Sequence, residues 1–350
     1  MPTIQNLFKK AAEQGASDIH LVANLPPISR IDGNLVFLDA SQPLSAREVE
    51  QLALSILTDE QKQRFLGSRD LDLGFSTADG IRFRINLFYE KNNVGLAARV
   101  INEKLPTMEE IGMPAISFDL LNLKQGLILV TGPTGCGKST TLAAMINYIN
   151  QRRREHIVTL EDPIEYIFRP DQSIIIQRQL GTDMISFAEG LKHALRQDPN
   201  VIMVGEMRDL ETIATTITLA ETGHLVLATL HTYNAAQTID RIIDIFPPHQ
   251  QSQVRMQLSM TMAAVFSQRL LPRADKGRIA AREVLVNTPA IANLIRENKT
   301  SQIRTVIETS SREGMISLDQ DLKRLYQEKL ITKEGAVSLL ANPSVLEKGR

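Results

Sequence analysis

Nine residues limit the architecture of this chain more than any others: GPTGCGKST, Gly132 to Thr140. They match G-x-x-x-x-G-K-[ST] over Gly132 to Ser139, follow the apolar run GLILV, and lead into the helical pattern TTLAAMINYI. Such a loop needs a strand to deliver it and a helix whose N-terminus faces it. Its glycines let the backbone turn N–H groups inward, and the helix N-terminus adds positive potential. The expected phosphate cradle is Gly132, Pro133, Thr134, Gly135, Cys136, Gly137, Lys138, Ser139 and Thr140. Lys138 would reach the β- and γ-phosphates, and Ser139 would bind Mg²⁺. A glycine-rich turn can match this pattern by chance, but here strand and helix are both in place. The loop is read as a nucleotide site.

The rhythm around the loop extends that constraint. GLILV, HIVTL, VIMVG and HLVLATL are short apolar runs separated by helical segments. Continuous apolar strands alternating with helices predict a parallel sheet covered on both faces. The first hundred or so residues differ. Ile4, Leu7, Phe8, Ala11 and Ala12 recur at helical spacing up to Gly15, and a Pro- and Gly-punctuated region, LPPISRIDGNLVFLD, follows. Residues 45–65 again look helical. IRFRINLFYE then alternates as a half-buried strand, with GLAARVI its expected partner across a KNN turn. The chain is thus expected to be α/β: a small α+β domain over 1–102, a linker over 103–118, an ATPase core over 119–271, and a mostly helical region over 272–350.

Further residues carry chemistry. HIVTLEDPIEY is a strand running into Glu161, Asp162 and Glu165, with Pro163 fixing a turn. A hydrolase needs a carboxylate to take a proton from the attacking water, and strand ends in such sheets face the ligand crevice. An acidic turn is the blander alternative. VIMVGEMRD has the form of a Walker-B strand; Glu206 stands alone there after Gly205 and would serve the metal through a water. HLVLATLH ends in His224 and His231, neither at zinc-ligand spacing from another His or Cys. His231 is a candidate γ-phosphate sensor. Arg82 and Arg84 share one face of IRFRINLF, where solvation alone would explain them, although phosphoryl transfer often uses an arginine from a neighbouring subunit.

Composition excludes several classes. The formal net charge of −1, the absence of Trp and the lack of an aromatic-plus-basic platform argue against direct nucleic-acid binding. One cysteine makes neither an intramolecular disulfide nor a four-ligand zinc site. No apolar run approaches the ~20 residues that span a bilayer. A soluble, cytoplasmic protein is expected.

Taken together, GPTGCGKSTTLAAM, TLEDPIEY, GEMRDLETI and AETGHLVLATLHT resemble the Walker A, Asp box, Walker B and His box of the secretion-ATPase superfamily (the GspE/PilB/PilT family), and specifically PilT-like type IV pilus retraction ATPases. The similarity runs nearly end to end, from GASDIHL onward. It implies a PAS-like N-terminal domain, a RecA-like ATPase domain, and a homohexamer holding ATP and Mg²⁺ at the junction of neighbours. By resemblance Glu165 is the catalytic base, Glu206 the Walker-B acid and His231 the phosphate-side histidine, while Arg82, Arg84 and Arg99 reach the nucleotide from the N-terminal domain. The implied function is pilus retraction and twitching motility, at the cytoplasmic face of the inner membrane, with a PilC-like platform protein and a PilU-like paralogue as partners.

AIANLIRE, Ala290 to Glu297, resembles a segment associated with retraction, with Ala292 where the usual pattern has arginine. Related assembly ATPases usually carry a four-cysteine zinc motif and a longer N-terminal region, which favours retraction here. An accessory PilU-like paralogue, an assembly ATPase and, from another class, a RecA-like nucleic-acid motor remain alternatives. Cys136 stands where the family commonly has serine. It is expected to be a tolerated small residue, or else a reactive thiolate favoured by the helix N-terminus and Lys138.

Overall fold

The computed structural model describes residues 3–31, 34–38, 42–101, 105–340 and 346. Parts of LPPISRIDGNLVFLD (residues 32, 33 and 39) and the expected boundary between the N-terminal domain and its linker (102–104) lie outside the described residues. The chain divides into two compact units, one of residues 1–104 with 163–167, the other of 105–162 with 168–350.

The first unit opens with α1 (Ile4–Glu13), which Thr3 caps and whose buried stripe is Ile4, Leu7, Phe8 and Ala11. Strands β1 (Asp18–Leu21), β2 (Ile28–Ile31) and β3 (Asn34–Phe37) follow, then helices α2 (Ala46–Leu54) and α3 (Asp59–Ser68). Ser45 with Glu48 and Thr58 with Gln61 form capping boxes that start these two helices, each joining two otherwise orphaned backbone donors to side chains. Strands β4 (Asp70–Ser76), β5 (Arg82–Glu90) and β6 (Asn93–Ile101) complete an antiparallel sheet of order β3-β2-β1-β6-β5-β4. Lys91 and Asn92, both at positive φ, make the tight turn between β5 and β6, as twisted two-residue hairpins require. Phe83, Ile85 and Leu87 of β5 point into the core. Phe8 stacks on Phe83 with ring centroids 4.4 Å apart, which fastens α1 to the sheet. Such a pair adds about 0.5–1.5 kcal/mol beyond its area burial.

The second unit begins with α4 (Ile116–Leu120) and is built on β7 (Gly126–Thr131), β8 (His156–Glu161), β9 (Ile174–Gln179), β10 (Val201–Val204), β11 (Leu225–Leu230), β12 (Met262–Pro272) and β13 (Arg278–Val286). The order is β13-β12-β7-β11-β10-β8-β9; every pair is parallel except β12 with β13. Helices α5 (Lys138–Arg152), α6 (Phe187–Ala194), α7 (Leu210–Glu221), α8 (Ala235–Asp244) and α9 (Pro248–Thr261) connect the parallel strands, and α10 (Pro289–Arg296), α11 (Ile303–Thr309), α12 (Leu318–Gln327) and α13 (Lys333–Val337) close the chain. β7 and β11 are buried at every residue, which is why they read as unbroken apolar runs. The parallel arrangement brings the ends of β7, β8, β10 and β11 to one edge of the sheet, where α/β folds bind ligands.

Within the mostly helical stretch after Pro272 lies one strand that the sequence did not reveal: RIAAREVLV forms β13 along β12. Its charges disguised it: Arg282 is buried, and its guanidinium donates to the carbonyls of Gly112 and Ile111 at 3.0 and 2.9 Å. Burial pushes this arginine down to about 10, against the pull of Asp321. The same two bonds fasten part of the polar stretch before α4 to the second unit. Among the described residues, no helix is long and apolar enough to cross a membrane.

Candidate nucleotide site

The loop between β7 and α5 has the backbone its glycines permit. Gly132, Gly135 and Gly137 have φ of 144°, 77° and 90°, a region that side chains disfavour. A Cβ on Gly132 would also lie 2.4 Å from the Gln268 carbonyl and 2.6 Å from Cys136 Sγ, so only glycine fits there. Gly137 is the N-cap of α5 and supplies no side-chain bond to the first turn. A helix N-terminus begun this way presents positive potential to an anion. Ser139 and Thr140 lie half-buried in that turn, Thr134 and Gly135 are exposed, and Pro133 accepts from the Cys136 amide at 3.3 Å. Lys138 folds back over the loop, Nζ donating to Gly132 O at 2.9 Å and to Pro133 O at 3.1 Å.

Three strand ends meet beside it. After β10 the chain passes Gly205, whose amide bonds to Leu160 O at 2.8 Å and where a Cβ would come within 3.0 Å of that carbonyl. Close packing against β8 therefore disfavours a side chain immediately before Glu206. The Glu206 carboxylate is gripped by Arg208, with Nη2 donating to Oε2 at 2.8 Å and Nε to Oε1. His231, just beyond β11, places Nε2 3.3 Å from Glu206 Oε1 and Nδ1 3.5 Å from Lys138 Nζ. The tautomer that satisfies both contacts carries its proton on Nε2, donating to Glu206 while Nδ1 accepts from Lys138. His231 thus links Lys138 to Glu206. Partial burial disfavours the charge on Glu206, but Arg208 and His231 outweigh it and hold the carboxyl below its usual range. Asp209 is occupied as the N-cap of α7, accepting from Thr212 N at 2.8 Å and Thr212 Oγ1 at 2.7 Å.

Glu161 is buried and accepts from Thr159 Oγ1 at 2.7 Å and Gln177 Nε2 at 3.0 Å, so it is bonded into the sheet. Glu165 is exposed and belongs to the 163–167 segment that groups with the first unit. His224 precedes the opposite end of β11 from His231, and its Nδ1 sits 3.0 Å from Leu219 O at the end of α7. Arg82, Arg84 and Arg99 are in the first unit. Arg84 lies directly opposite Arg99 across β5 and β6, and Arg99 Nε donates to Asp18 Oδ1 at 2.8 Å. Among the described residues Arg82 and Arg84 make no ion pair. Like charges directly opposite on a sheet are unfavourable, and Asp18 offsets part of that cost through Arg99.

Of the two readings of Cys136, the reactive thiolate is not supported. The thiol is buried, and burial pushes it above the usual range despite the nearby Lys138. Sequence reasoning missed Arg208, which a lone charge after a glutamate does not signal. It also missed Arg269, whose guanidinium lies 4.4 Å over the Tyr233 ring in the segment following His231. Among the described residues, no group of three or more His, Cys, Asp or Glu could hold a metal. The donors at hand are the Ser139 hydroxyl and the Glu206 carboxylate, hard oxygens that suit Mg²⁺ shared with phosphate oxygens and water.

Comparison with known proteins agrees with this geometry. The family described as type II/IV secretion system protein matches residues 1–332. The chain is 45% identical to the type IV pilus retraction ATPase PilT of Pseudomonas aeruginosa over 333 residues, covering 95% of this chain and 96% of PilT. It is 40% identical to the type IV pilus ATPase PilU of the same organism over 335 residues, covering 95% and 89%. A crystal structure of the pilus retraction motor PilT with bound ADP superposes with a TM-score of 0.93 at 46% identity, covering 100% of both chains. The chain therefore belongs to the type II/IV secretion system protein family, as a PilT-like member.

Proposed function

We propose that this chain is an ATP-hydrolysing motor, working as a homohexamer, that powers type IV pilus retraction and twitching motility. The observation that carries the reading is the Lys138–His231–Glu206 chain of contacts beside an open phosphate loop, in a fold shared with PilT. On nucleotide binding, Lys138 leaves the Gly132 and Pro133 carbonyls for the β- and γ-phosphates. His231 touches that lysine, so the change reaches Glu206 directly. Ser139, with Glu206 through a water, would hold Mg²⁺, which neutralises charge on the phosphate oxygens. Glu165 takes the proton of the attacking water. Arg82, Arg84 and Arg99 of a neighbouring copy supply positive charge as the γ-phosphoryl group departs. The facing of Arg84 and Arg99 supports that role, since an arriving anion would offset the charge that Asp18 leaves.

Differential contacts of ATP and ADP then bias the ring between open and closed states. Its motion acts on a PilC-like platform protein at the cytoplasmic face of the inner membrane, alongside a PilU-like paralogue. Deleting the gene tests this: cells should become hyperpiliated and non-twitching, whereas bald cells would indicate an assembly ATPase. The similarity to PilU favours one second reading, an accessory motor. A deletion that alters retraction only when a second paralogue is also removed would select it.

A further inference from the structure

β12 reads MAAVFSQRLLP, and Gln268 on it is buried to 1% exposure. An amide removed from water costs free energy unless both its donor and its acceptor are bonded. Here both are, and both partners belong to the phosphate loop or its helix. Nε2 donates to Cys136 O at 2.7 Å, and Oε1 accepts from Thr141 Oγ1, in the first turns of α5, at 3.0 Å. The backbone carbonyl of the same residue is the atom that a Cβ on Gly132 would strike. Gln268 therefore meets the loop at its first glycine with main chain and at its fifth residue with side chain.

The consequence follows from peptide planarity. In a trans peptide the C=O and the following N–H point in opposite directions. Holding Cys136 O toward β12 therefore aims the Gly137 N–H away from β12. Inward-facing amides are what a phosphate loop works with. We infer that Gln268 is a positioning residue for the phosphate loop, fixing the Cys136–Gly137 peptide so that nucleotide phosphates meet a preformed cradle. The inference rests on the reading of the loop as a nucleotide site. Without the Gln268 donor the Cys136 carbonyl must find another partner, so the peptide samples other orientations. Apparent affinity then falls in proportion to the population of the receptive form.

Gln268→Met, similar in length but with no amide, is compared with Thr141→Val, which leaves the bond to Cys136 O in place. The readouts are Mg-ADP dissociation constants by calorimetry, melting temperature, and kcat at saturating ATP. Gln268→Met should weaken Mg-ADP by about tenfold, the scale of one lost buried hydrogen bond, with a smaller change in kcat. Thr141→Val should change affinity less than about twofold for a comparable loss of thermal stability. Unchanged affinity in a folded Gln268→Met protein overturns the inference. So does equal weakening in both variants, which would mark general support of the core. Should Gln268→Met fail to fold, Gln268→Glu retains the side-chain length and an acceptor for Thr141 while withdrawing the amide donor, and the same loss is expected. A wild-type chain that binds no Mg-ADP would instead sink the nucleotide-site reading itself.

Discussion

The two sheets of this molecule place functional side chains in different ways. In the second unit β7, β10 and β11 are buried along their whole length, so their side chains have no room for chemistry. Polar groups appear only where the strands end, and Lys138, Glu206 and His231 meet at those ends. In the first unit β5 alternates, with Phe83, Ile85 and Leu87 inward and Arg82 and Arg84 on the other face. That face carries its polar residues along the strand, where function and simple solvation look alike. A sheet covered on both faces concentrates chemistry at its edge; a one-sided sheet distributes it.

The comparison can be broken in four places. Glu165→Gln should retain ATP binding yet slow turnover by roughly 10²–10⁴-fold, the usual contribution of a general base. Near-normal turnover would remove Glu165 from the reaction. His231→Ala cuts the link between loop and acid and should reduce turnover by roughly 10–100-fold, the scale of a hydrogen bond to a charged group. ADP affinity measured alongside should move less. Arg84→Gln separates function from solvation on the one-sided sheet. Relieving the pair with Arg99 should leave stability unchanged or raise it by about 0.2–1 kcal/mol in chemical denaturation, while ATPase activity falls. Equal activity would mean that the face is only solvated. Smallest of all, Cys136→Ser should keep turnover within about twofold, because the buried thiol makes no contact that the reaction needs. Rapid inactivation of wild type by thiol reagents, with protection in the serine variant, would contradict its burial.

Stability should depend on pH through Glu206. Its carboxyl is held below the usual range in the folded state, so the stabilisation is present at neutral pH and is lost as the pH falls through that depressed value. Unfolding curves of wild type and Glu206→Gln should therefore converge in acid.

The double burial of β7 and β11 made the parallel core legible in the sequence, and the glycine pattern with its strand and helix made the loop legible. β12 and β13 were harder to recognise because they bury polar groups. Gln268 bonds the loop, Arg282 bonds the carbonyls of Ile111 and Gly112, and Glu283 Oε1 accepts from the Ala235 amide at 2.7 Å. Each looks like a surface residue until its partner, distant in sequence, is known. Arg208 was hidden for the same reason: its role depends on the turn after Gly205, set by how closely β8 approaches. Glu165 was singled out by its acidic neighbourhood and by resemblance, and its role still rests on those grounds.

The most direct test of the account is phosphate release from ATP by the purified chain, measured beside Lys138→Ala. The account predicts steady Mg²⁺-dependent turnover by the wild-type chain and none above background in the variant. An inactive wild type, or a Lys138→Ala protein that releases phosphate at the wild-type rate, would contradict it.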